Sequence, residues 1–248
     1  MTATARSNAR CLRGVASRKI LGGSLVALVA SATPACAQVA ASAGVESAYR
    51  FRGHDLSGRR PVVTVDVSYD DKSGVYLGGS AIVLLTGTDP GLMELQGDIG
   101  LARPIDGNLS YDIGITRSQY FKRNGVTRNV HYTEFYAGLS RRNLSVHVYY
   151  SPDYLAPGVN TLYGDATLTV RPAKFWSLTA HAGKMFYLAN RPPQISRFGY
   201  YDWSLGVGRQ LGRFEAHLTL SGGGPGRDYY SNGFHDRTAV TGGINVAF

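Results

Sequence analysis

The 248 residues carry 26 Lys and Arg against 17 Asp and Glu, a formal charge of +9, with 31 glycines and 16 tyrosines. Basic and acidic residues are interspersed instead of gathered into one basic stripe, which argues against a nucleic-acid partner. No apolar run reaches the ~20 residues of a membrane-spanning helix, so a helical membrane protein is excluded as well.

The chain opens with Arg6, Arg10, Arg13, Arg18 and Lys19, followed by an apolar run over 20–32 and by Ala35-Cys36-Ala37. This is the layout of a secretory signal, with small residues bracketing a peptidase site. Residues 1–37 are therefore expected to be cleaved after Ala37, leaving 38–248 as the mature domain. A lipidated Cys36 is the competing reading, but Thr33-Pro34-Ala35 lack the aliphatic residue of such sites. Loss of the five basic residues lowers the formal charge to +4, and both cysteines, Cys11 and Cys36, leave with the signal. The mature chain is thus expected to hold no disulfide and no thiolate metal site.

From residue 44 onward, apolar and polar side chains alternate in windows of about ten residues, the two-residue period of a strand with unlike faces. Twelve windows are predicted, over 44–53, 60–70, 74–85, 91–103, 108–121, 129–141, 143–151, 161–171, 175–187, 199–211, 213–222 and 236–248. In the second, Val63, Val65, Val67 and Tyr69 oppose Thr64, Asp66 and Ser68. In the last, Val240, Ile244, Val246 and Phe248 oppose Thr241, Gly243 and Asn245.

Connectors after even-numbered windows are tight, such as 71–73, Arg142 and Gly212. Those after odd-numbered windows tend to be longer, as at 152–160, 188–198 and 223–235. That rhythm predicts an all-β, up-and-down antiparallel barrel of about 12 strands, with periplasmic turns and extracellular loops in a bacterial outer membrane. Only a closed barrel satisfies every backbone polar group of a sheet in hydrocarbon. Aromatic residues near window ends, including Tyr49, Phe51, Tyr69, Tyr120, Phe121, Tyr149, Tyr150, Trp176, Phe186, Tyr187, Tyr200 and Tyr201, fit interfacial girdles; a soluble β protein with an aromatic core is the plainer alternative.

Four blocks resemble one family. SAYRFRGHDLSGRRPVVTVDVSYDDKSGVYLGG at 47–79 is similar to the opening of the TorF-type porins, in which a tyrosine and an Arg-Gly pair precede a polar loop, a proline and a second strand. HYTEFYAGLS from His131, YYSPDYL from Tyr149 and YDWSLGVGRQLGRFEAHLTLSG from Tyr201 fit its later blocks in order. The resemblance implies barrel architecture more than a particular solute. Phe248 is also similar to the final aromatic residue by which the barrel-assembly machinery is thought to recognise such proteins.

Chemistry is sparse. None of His54, His131, His147, His181, His217 and His235 is followed by Ser two residues on, the pairing that would seat a base beside its nucleophile on one strand face. His147, His181 and His217 fall on inward positions of separate strands and read as hydrogen-bonded interior residues. The Gly-rich run at 222–226 lacks the Lys-Ser/Thr of a phosphate loop. Asp153, beside Pro152, is a lone loop carboxylate.

No catalytic or metal-binding set and no cofactor is therefore expected. The candidate site is the inward face, where parity places Glu46, Arg50, Arg52, Asp66, Glu94, Asp98, Asp112, Glu134, Asp165, Asp202 and Glu215. Charges of both signs there would orient small polar solutes, as charged rings do in pores. The expectation is a passive channel in contact with outer-membrane lipid. The alternative is a plugged barrel with an enzymatic or structural role, since size alone does not decide whether twelve strands leave a lumen.

Overall fold

The computed structural model describes residues 38–86, 90–122, 129–193, 199–224 and 238–248; the expected signal lies outside them. Its strands in chain order are β1 (Gln38–Glu46), β2 (Arg50–Phe51), β3 (His54–Asp55), β4 (Val62–Asp70), β5 (Val75–Leu84), β6 (Gly91–Pro104), β7 (Leu109–Tyr120), β8 (Val130–Arg141), β9 (Leu144–Ser151), β10 (Asn160–Val170), β11 (Trp176–Ala189), β12 (Tyr200–Leu211), β13 (Phe214–Gly224) and β14 (Ala239–Ala247). Twelve of them, β1 and β4 to β14, close into one antiparallel barrel, each pairing with its neighbours in sequence order. No helix among the described residues is long and apolar enough to cross a membrane.

Register converts the alternation into two surfaces. Val45 stands level with Val63 on one side and Ile244 on the other, and Leu205 with Leu220, so apolar residues form continuous cross-strand rows. These rows face outward: Val67, Ile99, Phe135, Leu139, Leu205, Leu218 and Ile244 are all exposed. An exterior so apolar, on a sheet without free edges, suits hydrocarbon and not water. β1 pairs with β4 along its whole length, from Gln38 to Glu46, but with β14 only from Ser42 to Glu46.

One end of the barrel carries the short turns. At 71–74 and 105–108, Asp71 accepts from the Ser73 amide at 2.8 Å and Asp106 from the Asn108 and Leu109 amides, both at 2.8 Å. A side-chain hydrogen bond from Ser73, with this amide second, holds the Asp71 carboxyl below the usual carboxylate range, and the two amide bonds do the same for Asp106. Arg142 (φ 52°) and Gly212 (φ 66°) supply the left-handed positions of the two tightest hairpins.

The largest departure from the expected strands is at the start. The first window was placed at 44–53, whereas the wall strand is β1, and the chain leaves the wall after Glu46. Residues 47–61 then fold into the barrel, where β2 and β3 pair as a small hairpin, Arg50 with Asp55 and Phe51 with His54. Its turn is Arg52-Gly53, both at positive φ (47° and 78°), the mirror-type turn that matches strand twist. Gly53 is required there, because a Cβ would come within 3.1 Å of both Asp202 Cβ and the Gly222 carbonyl. Alternation in Tyr49-Arg50-Phe51-Arg52 mimics a wall strand, but its aromatic residues are buried inside the barrel.

That inward segment creates a second, interior core at the long-loop end. Tyr49, Phe51 and Leu56 pack with wall residues Val62, Leu84, Met93, Tyr120, Tyr132, Tyr149, Tyr163 and Tyr200. Tyr49, Phe51, Tyr120, Tyr149 and Tyr200 are therefore not part of an outer girdle. Where two aromatics are adjacent the period of two separates them: Tyr150 and Tyr201 are exposed while Tyr149 and Tyr200 are buried. Tyr69, Tyr150, Trp176, Phe186 and Tyr201 keep the outward position.

Candidate functional site: the barrel interior

The inward face divides charge by origin. Nine carboxylates of the expected set stand on inward positions of wall strands: Glu46 on β1, Asp66 on β4, Glu94 and Asp98 on β6, Asp112 on β7, Glu134 on β8, Asp165 on β10, Asp202 on β12 and Glu215 on β13. Among the described strand residues no Lys or Arg shares that face, although Arg171, one residue past β10, acts electrostatically on Glu215. Arg103, Arg117, Arg141, Lys184 and Arg209 occupy the opposite parity, and Arg209 lies 5.0 Å from the outward Trp176 ring. Arg50 and Arg52, expected on a wall strand, belong instead to the inward hairpin.

Arg52 is the centre of the arrangement. Its Nη1 and Nη2 donate to Oε1 and Oε2 of Glu134, each at 2.9 Å, with the two side chains 4% and 2% exposed. This end-on, two-pronged pair is the strong form of the Arg–carboxylate interaction. Aromatic rings surround the same guanidinium: Tyr163 at 3.9 Å, Phe51 at 4.9 Å, Tyr149 at 5.5 Å and Tyr154 at 5.7 Å from the ring centroids. Each presents its negative π face to the cation. The Arg52 Nε has no hydrogen-bond partner. Arg50 is half-buried and donates to the Gly53 carbonyl at 2.7 Å, bracing the turn.

The remaining carboxylates are held by hydroxyls and imidazoles. Glu94, 1% exposed, accepts from the Tyr49 hydroxyl. Asp66 accepts from Ser42 Oγ at 3.2 Å, and Asp112 from Tyr76 at 2.6 Å, with Tyr136 also bonded to Tyr76. Three inward histidines of the wall sit beside acids: His217 is 2.9 Å from Glu46, His181 is 3.0 Å from Asp202, and His147 lies 3.9 Å from Asp112 and 3.8 Å from Asp165. Glycine clears the way across the wall for Asp98, whose Oδ1 lies 2.3 Å from where a Gly78 Cβ would stand.

His181 also bonds Thr167 Oγ1 at 2.8 Å through Nδ1 while its Nε2 faces Asp202, and Tyr163 donates to Asp202 at 3.0 Å. Hydroxyl, imidazole and carboxylate stand in the order of a nucleophilic relay. Thr167 is nevertheless only 3% exposed, which leaves its oxygen no room for a substrate. Among the described residues no group of three metal-ligating side chains converges.

Sequence parity thus brings the wall carboxylates to one surface but misses the aromatic cage. Tyr149 and Tyr163 lie on adjacent strands, their residues level in register, and their polar neighbours Ser151, His147, Thr161 and Asp165 share that face, a signal already present in the alternation. Asp153, in contrast, caps its own loop by accepting from the Gly158 amide at 2.7 Å. Where the barrel is plugged, the space left between Arg52, His54, Tyr163, Met185 and Asp202 is about 10 Å³, room for about one water.

An edgeless twelve-stranded barrel, apolar outside and acidic inside, defines the class: an up-and-down β-barrel of the kind built for a bilayer. More narrowly, the chain belongs to the Gcw_chp family of bacterial proteins of unknown function, whose profile matches residues 30–221. That profile does not carry the TorF-type name. Among solved structures the chain is similar to the NanC porin in a rhombohedral crystal form, at TM-score 0.56 and 12% identity over 85% of this chain and 99% of that one. It is similar as well to the KdgM porin in complex with disordered oligogalacturonate, at TM-score 0.52 and 8% identity over 85% and 99%. At such identities the likeness is one of fold. No curated protein matches the chain.

Proposed function

We propose that the protein is a non-enzymatic outer-membrane channel for small polar solutes, whose inward segment occludes the long-loop half. The observation that carries this reading is the combination of a closed apolar exterior with an inner wall that carries nine carboxylic side chains and, on its described strands, no Lys or Arg. Acidic rings favour cations electrostatically, so the passage would prefer them. The porins of similar fold and the resemblance to TorF-type porins point the same way. Asp98, Asp112 and Glu215, half-buried on the inner wall, would line the wetter part of the path. Export would follow cleavage after Ala37, as the small residues Ala35 and Ala37 of the signal-like opening suggest. Phe248, 75% exposed, would be offered to the assembly machinery.

A second reading, a permanently plugged barrel with a structural role, is favoured by the buried Arg52–Glu134 pair. Planar-bilayer recording of the purified mature barrel separates the two. Stepwise, cation-selective conductance is expected from the channel; folded protein that never conducts, including after deletion of 50–55, would leave the plugged barrel standing.

A further inference from the structure

Nine carboxylates line the wall, answered there by imidazoles and by no Lys or Arg of a described strand, so the interior is complementary to positive charge, and among the described residues the guanidinium paired end-on with a buried wall acid arrives on the hairpin. Arg52 is seated as a ligand is seated. Its terminal nitrogens meet both oxygens of one buried carboxylate, its flat face lies 3.9 Å from the Tyr163 ring, and further rings close the sides. Only the head of the side chain is used in this recognition, while Nε is left without a partner.

The wall elements of the site, Glu134 on β8, Tyr149 on β9 and Tyr163 on β10, are successive strands of the rigid barrel and do not depend on the hairpin for their placement. If the hairpin withdraws, Glu134 is left on the wall beside Tyr149 and Tyr163 without its counterion, a seat that another cation of the same shape can fill.

We propose that Glu134, Tyr149 and Tyr163 form a recognition site for a guanidinium or related organic cation, and that Arg52 is a tethered stand-in that a cationic solute displaces. This deepens the channel reading and rests on it: the solute would open its own path by competing for the seat of the hairpin. Planar guanidinium compounds should be favoured over primary amines, because the two parallel bonds to Glu134 and the stacking on Tyr163 use a flat, forked donor. Anionic and neutral solutes have no counterpart in this pocket.

The test is equilibrium binding to the full mature barrel, folded in detergent, with agmatine as probe and glycerol and acetate as controls, followed by calorimetry. Arg52→Ala vacates the site, and should bind agmatine saturably and at least tenfold more tightly than the wild type; Arg52→Ala/Glu134→Gln should lose that binding. Folding of each variant is checked by its heat-modifiable gel shift, and Arg52→Gln, which keeps more of the side-chain volume, serves in place of Arg52→Ala if that variant does not fold.

Equal agmatine affinity with and without Glu134, or equal response to glycerol or acetate, would overturn the site. The parallel measurement is bilayer conductance of the wild type with agmatine on each side. Binding without conductance at any agmatine concentration would keep the site and discard the channel, whereas conductance insensitive to agmatine would keep the channel and discard the stand-in role.

Discussion

Replacing Arg52 by alanine tests the energetic core of the interior. Glu134 is 2% exposed and its two oxygens accept the guanidinium at 2.9 Å each, so the substitution strands a carboxylate where solvent does not reach. Breaking a buried pair from one side costs about 3–5 kcal/mol, most of it the uncompensated charge. Loss of the guanidinium over Tyr163 at 3.9 Å removes a further contribution of about 1–2 kcal/mol for a desolvated cation–π contact. Against this, Arg52 is held at φ 47°, where a non-glycine residue is strained by about 1 kcal/mol or more, and alanine retains that strain. The strain therefore cancels, and the expected net loss is about 4–7 kcal/mol. Reversible urea unfolding in phospholipid vesicles, followed by Trp176 and Trp203 fluorescence, measures it, and the double variant Arg52→Ala/Glu134→Gln should recover at least about 2 kcal/mol because no charge is left buried. A loss below about 1 kcal/mol, or strictly additive single effects, would refute the claim that the hairpin is fixed by this pair.

Three other outcomes are expected. Lysine at Leu218, which is 57% exposed on the outer face, should destabilise the barrel by about 2–4 kcal/mol in vesicles if the position lies near the bilayer midplane, whereas the inward neighbour Thr219→Lys should cost less; equal costs would place the register one residue out. Gly114→Ala should cost about 1–3 kcal/mol by the same unfolding assay, since the new methyl would stand 2.5 Å from both the Ile99 carbonyl and the Tyr136 hydroxyl. Phe248→Ser should lower the yield of heat-modifiable barrel in outer membranes more than Asn245→Ser does, while leaving the unfolding free energy of the folded fraction within about 0.5 kcal/mol of wild type, as for other exposed positions.

Much of the wall was legible because a two-residue period with one apolar face has few alternatives. Val63, Val65 and Val67 against Thr64 and Asp66 determine both the strand and which way it faces, and the short turn at 71–74 fixes its partner. The inward carboxylates followed from the same parity. The segment after Glu46 was misread because periodicity reports local alternation and not which body the strand joins. Tyr49 and Phe51 alternate with Arg50 and Arg52 whether they line a barrel or fold into it. Only Arg52-Gly53 betrayed the hairpin, as a turn dipeptide placed between two short β-prone pieces. The aromatic cage escaped for a related reason: Tyr149-Tyr150 and Tyr200-Tyr201 read as surface girdle until register assigned one ring of each pair to the interior. Which carboxylate pairs with Arg52 is set 82 positions away in sequence, a distance no local pattern spans.

Because Arg52 sits on a tether and the acid it pairs with, Glu134, on the wall, charge balance at the centre of this barrel is a matter of length as well as composition. Connections between strands ordinarily accept insertions and deletions with little penalty. The stretch from Ser47 to Pro61 has no such freedom: one residue inserted before Arg52 would bring Phe51 to its place at the turn, and one residue removed would bring Gly53, and either leaves Glu134 without its partner. Related chains should therefore keep the spacing between Glu46 and Arg52 even where their long-end loops differ in size, and a relative that has lost the arginine should have neutralised the acid opposite it.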